Sequence, residues 1–156
     1  YNGYTLAAKV NATKAQYKTI VKHQIGEITK CQLGMIDTIG NPDYGSKPCP
    51  LRAGGAFNAA GEWIYTFGNQ CNNPGGIYFF WSNPYKPINV DDVGNKKNNN
   101  PCNYDDKGTK IKDDEFVGYI NYRKISDTEA SLSSCWKVPC SSPENRGETI
   151  IDFSDY

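Results

Sequence analysis

Apolar residues recur at intervals of three and four positions in one segment near the start of the chain. The residues that follow this spacing are Tyr17, Val21, Ile25 and Ile28. Good helix formers lie before and between them. The pattern predicts one amphipathic helix over residues 12–33, with Asn11 as its N-cap and Gly34 where it ends.

The remaining apolar runs are short, rich in aromatic or β-branched residues, and separated by turn-forming residues. They predict strands at Glu62–Phe67, Ile77–Trp81, Phe116–Lys124, Ala130–Val138 and Thr149–Phe153. Two polar stretches, residues 40–61 and 82–114, are predicted to be long loops. We therefore expect one α+β domain over residues 1–156, with an N-terminal helix packed on an antiparallel sheet of four or five strands.

Composition and charge give no support for a nucleic acid or a membrane as the binding partner. The chain has 156 residues, a length that suits one domain, and its 17 basic and 17 acidic residues balance. A neutral chain gives no global electrostatic reason to bind nucleic acid or an anionic membrane. The longest aromatic and aliphatic run, Ile77–Trp81, is far shorter than the roughly 20 residues of a membrane span.

The cysteines indicate an oxidising compartment. There are six, Cys31, Cys49, Cys71, Cys102, Cys135 and Cys140, an even number at scattered spacings. They predict three disulfides, and the sequence leaves open whether Cys135 and Cys140 pair with each other or with Cys31 and Cys102. One histidine and no close cysteine pair of the zinc type predict no metal site, and no cofactor is predicted.

Further features fit secretion. The chain begins at Tyr1 without an apolar leader, as a protein does after its signal peptide is removed. Asn11, in the sequon Asn11-Ala12-Thr13, is a candidate glycosylation site. We expect a secreted, extracellular protein.

Catalytic patterns are few. His23 shares a predicted helix face with polar residues, so we expect a solvated histidine and no nucleophile triad. A carboxylate pair of the glycosidase type stays open, because 17 acidic residues offer many pairs and no spacing singles one out.

Aromatic residues in the predicted strands have two interpretations. They are either core residues or a binding face, and the candidates for that face are Tyr78, Phe80, Tyr119 and Tyr122.

Several of these segments, taken in order, resemble the small fungal guanyl-specific ribonucleases. Those enzymes have a Glu-Trp strand, a glycine-rich turn with Pro-Gly, and a further strand. The matching runs here are Gly61-Glu62-Trp63-Ile64-Tyr65, Asn73-Pro74-Gly75-Gly76 and Ile77-Tyr78-Phe79-Phe80. Phe116–Tyr122 resembles a later family strand, Cys135 the cysteine that closes the fold, and Tyr4-Thr5 the opening. The resemblance implies a ribonuclease-like sheet.

The resemblance also implies that the catalytic set is incomplete. Glu62 resembles the base, but Tyr122 stands at the position of the acid, and its ordinary pKa near 10 makes it a poor proton donor. The position of the phosphate-binding arginine falls at Gly76 or Ile77, neither of which is charged. Glu62 and Tyr122 would then be vestigial.

A catalytically empty ribonuclease scaffold is similar to the ribonuclease-like secreted effectors of plant-pathogenic fungi. The resemblance implies a monomeric virulence or avirulence protein that binds a host protein or a plant immune receptor, with translocation into host cells as one route and RNA as a weaker ligand. Loops 40–61 and 82–114 are the first places to look for binding. The alternatives are an active secreted hydrolase, either a divergent ribonuclease or a glycosidase, and a disulfide-rich inhibitor or lectin-like binding module.

Overall fold

The computed structural model describes residues 5–43, 45–52, 58–86, 89–90, 96–97 and 99–154. For residues 89–90 and 96–97 it describes the backbone alone. Its helices are α1 (Leu6–Gln32) and α2 (Ala59–Asn72). The strands are β1 (Thr38–Ile39), β2 (Lys47–Pro48), β3 (Asn89–Val90), β4 (Lys96–Lys97), β5 (Cys102–Tyr104), β6 (Ile120–Lys124), β7 (Glu129–Cys135) and β8 (Arg146–Asp152). Tyr4, which was part of the resemblance to the ribonucleases, lies outside the described residues. Parts of the predicted loops 40–61 and 82–114 also lie outside them.

Helix α1 is longer than predicted, because its cap is not Asn11. The Thr5 side chain accepts a hydrogen bond from the backbone N–H of Ala8, so the helix begins at Leu6 and Asn11 lies inside it. The buried stripe also includes the polar residues Thr13 and Gln24. The spacing of apolar residues alone does not predict this buried stripe, because Thr13 and Gln24 are polar. Their hydrogen bonds allow these two side chains to be buried.

The predicted strand Glu62–Phe67 is wrong, because the segment lies in α2. Asn58 caps this helix, its side-chain oxygen accepting a hydrogen bond from the N–H of Gly61 at 2.9 Å. The buried residues repeat every three or four positions, at Ala59, Ala60, Trp63, Thr66, Phe67, Gln70 and Cys71. Burial of this face overrides the strand propensity of the aromatic and β-branched residues.

The predicted strand Ile77–Trp81 is also wrong. Successive turns replace it, with Phe79 N–H donating to the carbonyl of Gly76 and Trp81 N–H to that of Tyr78. Gly76 is buried where a Cβ would collide with the carbonyl oxygen of Gln70. The segment therefore folds back tightly on the end of α2, and none of the described strands pairs with it.

The main sheet is mixed, which corrects the antiparallel prediction. Its order is β5-β6-β7-β8, with β5 parallel to β6 and the other pairs antiparallel. The parallel pair requires a crossover, and residues 105–119 supply it with two short 3-10 helices, Lys110–Lys112 and Asp114–Phe116. For this reason the predicted strand at Phe116–Lys124 begins only at Ile120. Strands β7 and β8 overlap the two last predicted strands.

Both helices pack on one face of this sheet. The Tyr17 hydroxyl of α1 donates to the carbonyl of Leu132 on β7, and Phe67 of α2 lies against Tyr122 of β6 with ring centroids 5.0 Å apart. Trp63, Tyr78, Phe67 and Phe153 are the largest fully buried side chains. The described residues thus form an α+β fold with two α-helices, a four-stranded mixed sheet and small two-stranded ladders.

The predicted disulfide framework is confirmed, and the pairing is now defined. Cys31–Cys49 joins the end of α1 to the segment after β2, and Cys71–Cys102 joins the end of α2 to β5. Cys135–Cys140 closes a short loop after β7. Three disulfides are typical of proteins that fold in an oxidising compartment. Within the described ranges, neither helix has the length and apolar character that crossing a membrane requires.

Candidate functional site

Glu62, the residue that resembles a catalytic base, lies in the first turn of α2. Its Oε2 accepts a hydrogen bond from the backbone N–H of Arg52 at 3.1 Å. A carboxylate in the first turn of a helix is favoured by the partial positive charge of the N-terminus. The Glu62 side chain thus holds the segment before α2 against the helix.

Tyr122, the residue in the position of the acid, is buried beneath α2. Its hydroxyl accepts a hydrogen bond from Asn72 Nδ2 at 3.2 Å. Burial raises the pKa of Tyr122 above the ordinary tyrosine value, and the hydrogen bond from Asn72 only partly offsets this. The environment therefore makes Tyr122 a weaker proton donor than a free tyrosine.

Glu62 and Tyr122 make their contacts at different turns of α2. The Tyr122 hydroxyl lies beside Gly68, where a Cβ would come within 3.3 Å of it. Six residues separate Gly68 from Glu62, which is about 9 Å along the helix at 1.5 Å per residue. A base would remove the proton of the ribose 2′-hydroxyl, and an acid would protonate the leaving oxygen of the same phosphodiester. Here the Glu62 carboxylate accepts the backbone N–H of Arg52 and the Tyr122 hydroxyl accepts the Asn72 amide, so both groups make structural hydrogen bonds.

Tyr78 belongs to a buried polar network. Gln24 Nε2 donates to the Tyr78 hydroxyl at 2.8 Å and to Gln70 Oε1 at 2.7 Å, and Trp63 Nε1 donates to Gln24 Oε1 at 3.1 Å. Burial raises the pKa of Tyr78 to about 12. His23 also hydrogen-bonds to this phenol while its side chain stays 37% exposed, so it is a surface histidine that is joined to the buried network. Tyr78 is a core residue.

Of the other aromatic candidates, only Phe80 has a large exposed area. Tyr119 is partly buried, with its ring centroid 5.9 Å from that of Phe116. Phe80 and its neighbour Ile77 are each 54% exposed, and Phe79 packs on Phe80 at 5.1 Å. We call Ile77, Phe79 and Phe80 the apolar turn.

The apolar turn is firmly attached to the domain. Tyr78 N–H donates to the carbonyl of Gln70 at 2.9 Å, and the Asn100 amide donates to the carbonyls of Cys71 and Phe79. Asn100 Oδ1 accepts the backbone N–H of Cys102 at 2.8 Å, and the Cys71–Cys102 disulfide joins the same two segments covalently. Exposed apolar side chains on a fixed backbone are the usual composition of a protein-binding surface, because little conformational entropy is lost on binding.

A separate groove lies between α2 and the β5-β6 edge of the sheet. It has a volume of about 320 Å³, and its lining residues are Ile64, Tyr65, Gly68, Asn69, Asn72, Tyr104 and Tyr122. We call it the tyrosine groove. Tyr65 and Tyr104 are 46% and 41% exposed at its two sides, and Tyr122 forms its floor.

Most residues of the tyrosine groove were not predicted from the sequence. Tyr65, Gly68, Asn69 and Asn72 are spaced by three, one and three positions, the spacing of one helix face. That signal becomes visible only when residues 59–72 are interpreted as a helix. Tyr104 is brought in by the parallel pairing of β5 with β6, which aligns it with Tyr122.

Two further candidates concern modification and metal binding. Asn11 is exposed on α1, and its use as a glycosylation site stays a prediction. Among the residues described, no three His, Cys, Asp or Glu side chains lie close enough together to hold one metal ion.

The chain matches no protein-family model, no curated protein and no solved structure.

Proposed function

We propose that this chain is a secreted, non-catalytic protein that acts by binding another protein through the apolar turn. The observation that carries the proposal is the exposure of Ile77 and Phe80, each 54%, on a backbone held by Cys71–Cys102 and by Asn100. Apolar and aromatic side chains at the centre of an interface supply most of its binding energy. The three disulfides support an extracellular site of action.

The finer proposal is a ribonuclease-like effector whose partner is a host protein or a plant immune receptor. Phe116–Tyr122 leads into β6 and Cys135 ends β7, consistent with the later part of the resemblance. Glu62 and Trp63 lie on α2 instead of a strand, so the earlier part has no support from the fold. Monomeric action and entry into host cells belong to this finer proposal.

The first experiment tests catalysis directly. The oxidised protein and Glu62→Gln are incubated with single-stranded RNA and with a panel of glycans, and products are measured. We expect no turnover, because the Glu62 carboxylate already accepts the backbone N–H of Arg52 and burial raises the Tyr122 pKa. Turnover that Glu62→Gln abolishes would contradict the proposal and support a divergent hydrolase.

The second experiment tests the binding surface. Immobilised protein is used to isolate partners from leaf extracellular fluid, and affinity is then measured with each purified partner. We expect Phe80→Asp and Ile77→Asp each to weaken binding by at least tenfold, since a buried charge replaces an apolar contact. Ile150→Asp is the matched control, because Ile150 is 49% exposed on β8. Equal effects of all three variants would argue against the apolar turn.

A further inference from the structure

The tyrosine groove has the chemistry of a small-ligand site that is distinct from the apolar turn. Its volume of about 320 Å³ is at the lower end of such sites, which range from about 300 to 1,000 Å³. Phenol rings and amide side chains make up most of its lining, and no residue of that lining carries a formal charge. Such a lining favours a neutral ligand with both apolar faces and many hydroxyl groups.

Each part of the groove has a separate function in recognising such a ligand. Tyr65 and Tyr104 offer exposed ring surface at the two sides, which suits stacking against the C–H face of a sugar ring. Asn72 is exposed beside them, and carboxamides pair well with adjacent hydroxyls because they both donate and accept. Asn69 Nδ2 is buried beside Gly45, so Asn72 is the amide that we assign to the ligand.

The floor of the groove is open because α2 has a glycine there. At Gly68 a Cβ would approach the Tyr122 hydroxyl to 3.3 Å, so any side chain would fill the space above that phenol. Tyr122 is held in place by Asn72 Nδ2 and by Phe67, whose ring centroid is 5.0 Å away. The hydroxyl is thus a fixed polar group at the base of a groove with aromatic sides.

Nearby cations do not change the neutral character of the site. Lys47 Nζ lies 4.7 Å from the centroid of the Tyr65 ring, and Lys110 Nζ donates to the carbonyl of Tyr104 at 2.7 Å. Both ammonium groups therefore have contacts within the protein. A nucleotide would require cations aimed at its phosphate, and the described lining contains none.

We propose that the tyrosine groove binds a neutral saccharide of one or two rings, stacked between Tyr65 and Tyr104 and hydrogen-bonded to Asn72 and to the Tyr122 hydroxyl.

The test is a titration of the isotope-labelled protein with cellobiose, lactose, maltose and diacetylchitobiose, followed by two-dimensional amide NMR. We expect at least one disaccharide at millimolar concentration to shift the amides of Gly68, Asn72 and Tyr104. Tyr104→Ala should abolish these shifts at the same sugar concentration, whereas Tyr104→Phe should keep them, because the ring is retained. Phe80→Ala is the control for an exposed aromatic residue outside the groove and should leave them unchanged.

Three results would overturn the proposal. One is the absence of shifts with every disaccharide, and another is shifts that Tyr104→Ala leaves intact. The third is binding of an oligouridylate, but of no sugar, with affinity that falls steeply as salt rises, which would indicate a nucleic-acid site. If the spectrum of Tyr104→Ala shows that it does not fold, Asn72→Ala replaces it, since Asn72 is exposed. None of these results depends on the proposed protein-binding function of the apolar turn.

Discussion

The hydroxyl of Tyr78 and Nδ1 of His23, which are 55 positions apart in the chain, are joined by a hydrogen bond. Gln24 Nε2 donates to the same hydroxyl at 2.8 Å, which leaves the phenol proton available to Nδ1 of an uncharged imidazole. With Nδ1 as the acceptor, the imidazole carries its proton on Nε2. That nitrogen lies 4.0 Å from Glu27 Oε1.

This arrangement predicts the tautomer of His23. Long-range nitrogen–proton spectra of the uncharged imidazole should show the Nε2-protonated form, and Tyr78→Phe should shift the population toward a mixture of tautomers. An Nδ1-protonated ring in the wild-type protein would contradict the direction of the hydrogen bond.

Tyr78→Phe should also lower the free energy of unfolding by about 1–3 kcal/mol, since it removes the hydroxyl that joins His23 and Gln24. Urea denaturation measures the change. The control is Tyr119→Phe, because the Tyr119 hydroxyl has no hydrogen bond to the rest of the described chain. Equal losses in both variants would show that the network adds nothing to stability.

Alkaline pH should destabilise the protein through Tyr78. Its pKa is about 12 in the folded state and about 10 when unfolded, so the unfolded state loses its proton first. The stabilising contribution is complete below pH 10 and is lost as pH rises to about 12, a change of about 3 kcal/mol at most. Denaturation midpoints measured across this range should fall more steeply in wild type than in Tyr78→Phe. Parallel curves would contradict the assignment.

Two glycine substitutions should have opposite effects on stability. Gly76→Ala places a Cβ against the carbonyl oxygen of Gln70 and should cost about 1–3 kcal/mol, because backbone atoms must shift. Gly26→Ala lies inside α1 with no neighbour within 4 Å of the added atom, and should stabilise by about 0.5–1 kcal/mol. Thermal and urea denaturation of both variants gives the comparison. A neutral Gly76→Ala would show that the turn after α2 is easily displaced.

The disulfides should differ in their contribution to stability. Cys71–Cys102 closes a loop with a sequence separation of 31, whereas Cys135–Cys140 has a separation of 5. The chain-entropy relation gives about 3.7 kcal/mol for the longer loop and about 2.1 kcal/mol for the shorter one. Paired Cys→Ala variants, compared by urea unfolding, test this order. A reversed order would indicate that strain or residual structure dominates.

The sequence predicted the parts of the fold in which burial follows apolar spacing or strand alternation. Strand β7 was predicted from the partial alternation over Ala130–Val138, and the structure pairs it with a strand on each side. The compartment was indicated by the cysteine count alone.

Helix α2 was missed because its buried face contains Trp63 and Phe67, residues that favour strands, and Gln70, which is polar. Its cap at Asn58 was the available local signal. The tyrosine groove could not be predicted, since it requires both this helix and the parallel alignment of Tyr104 with Tyr122. The direction of strand pairing depends on the whole fold, and no short segment encodes it.

The Cys71–Cys102 bridge has a consequence for the integrity of the molecule. A peptide bond hydrolysed anywhere between these two cysteines would leave both fragments covalently joined, with α1 and α2 on one and the four-stranded sheet on the other. A protease that cleaves within this interval would thus produce two chains that stay joined by the disulfide. On a denaturing gel the two chains would separate only after the disulfide is reduced.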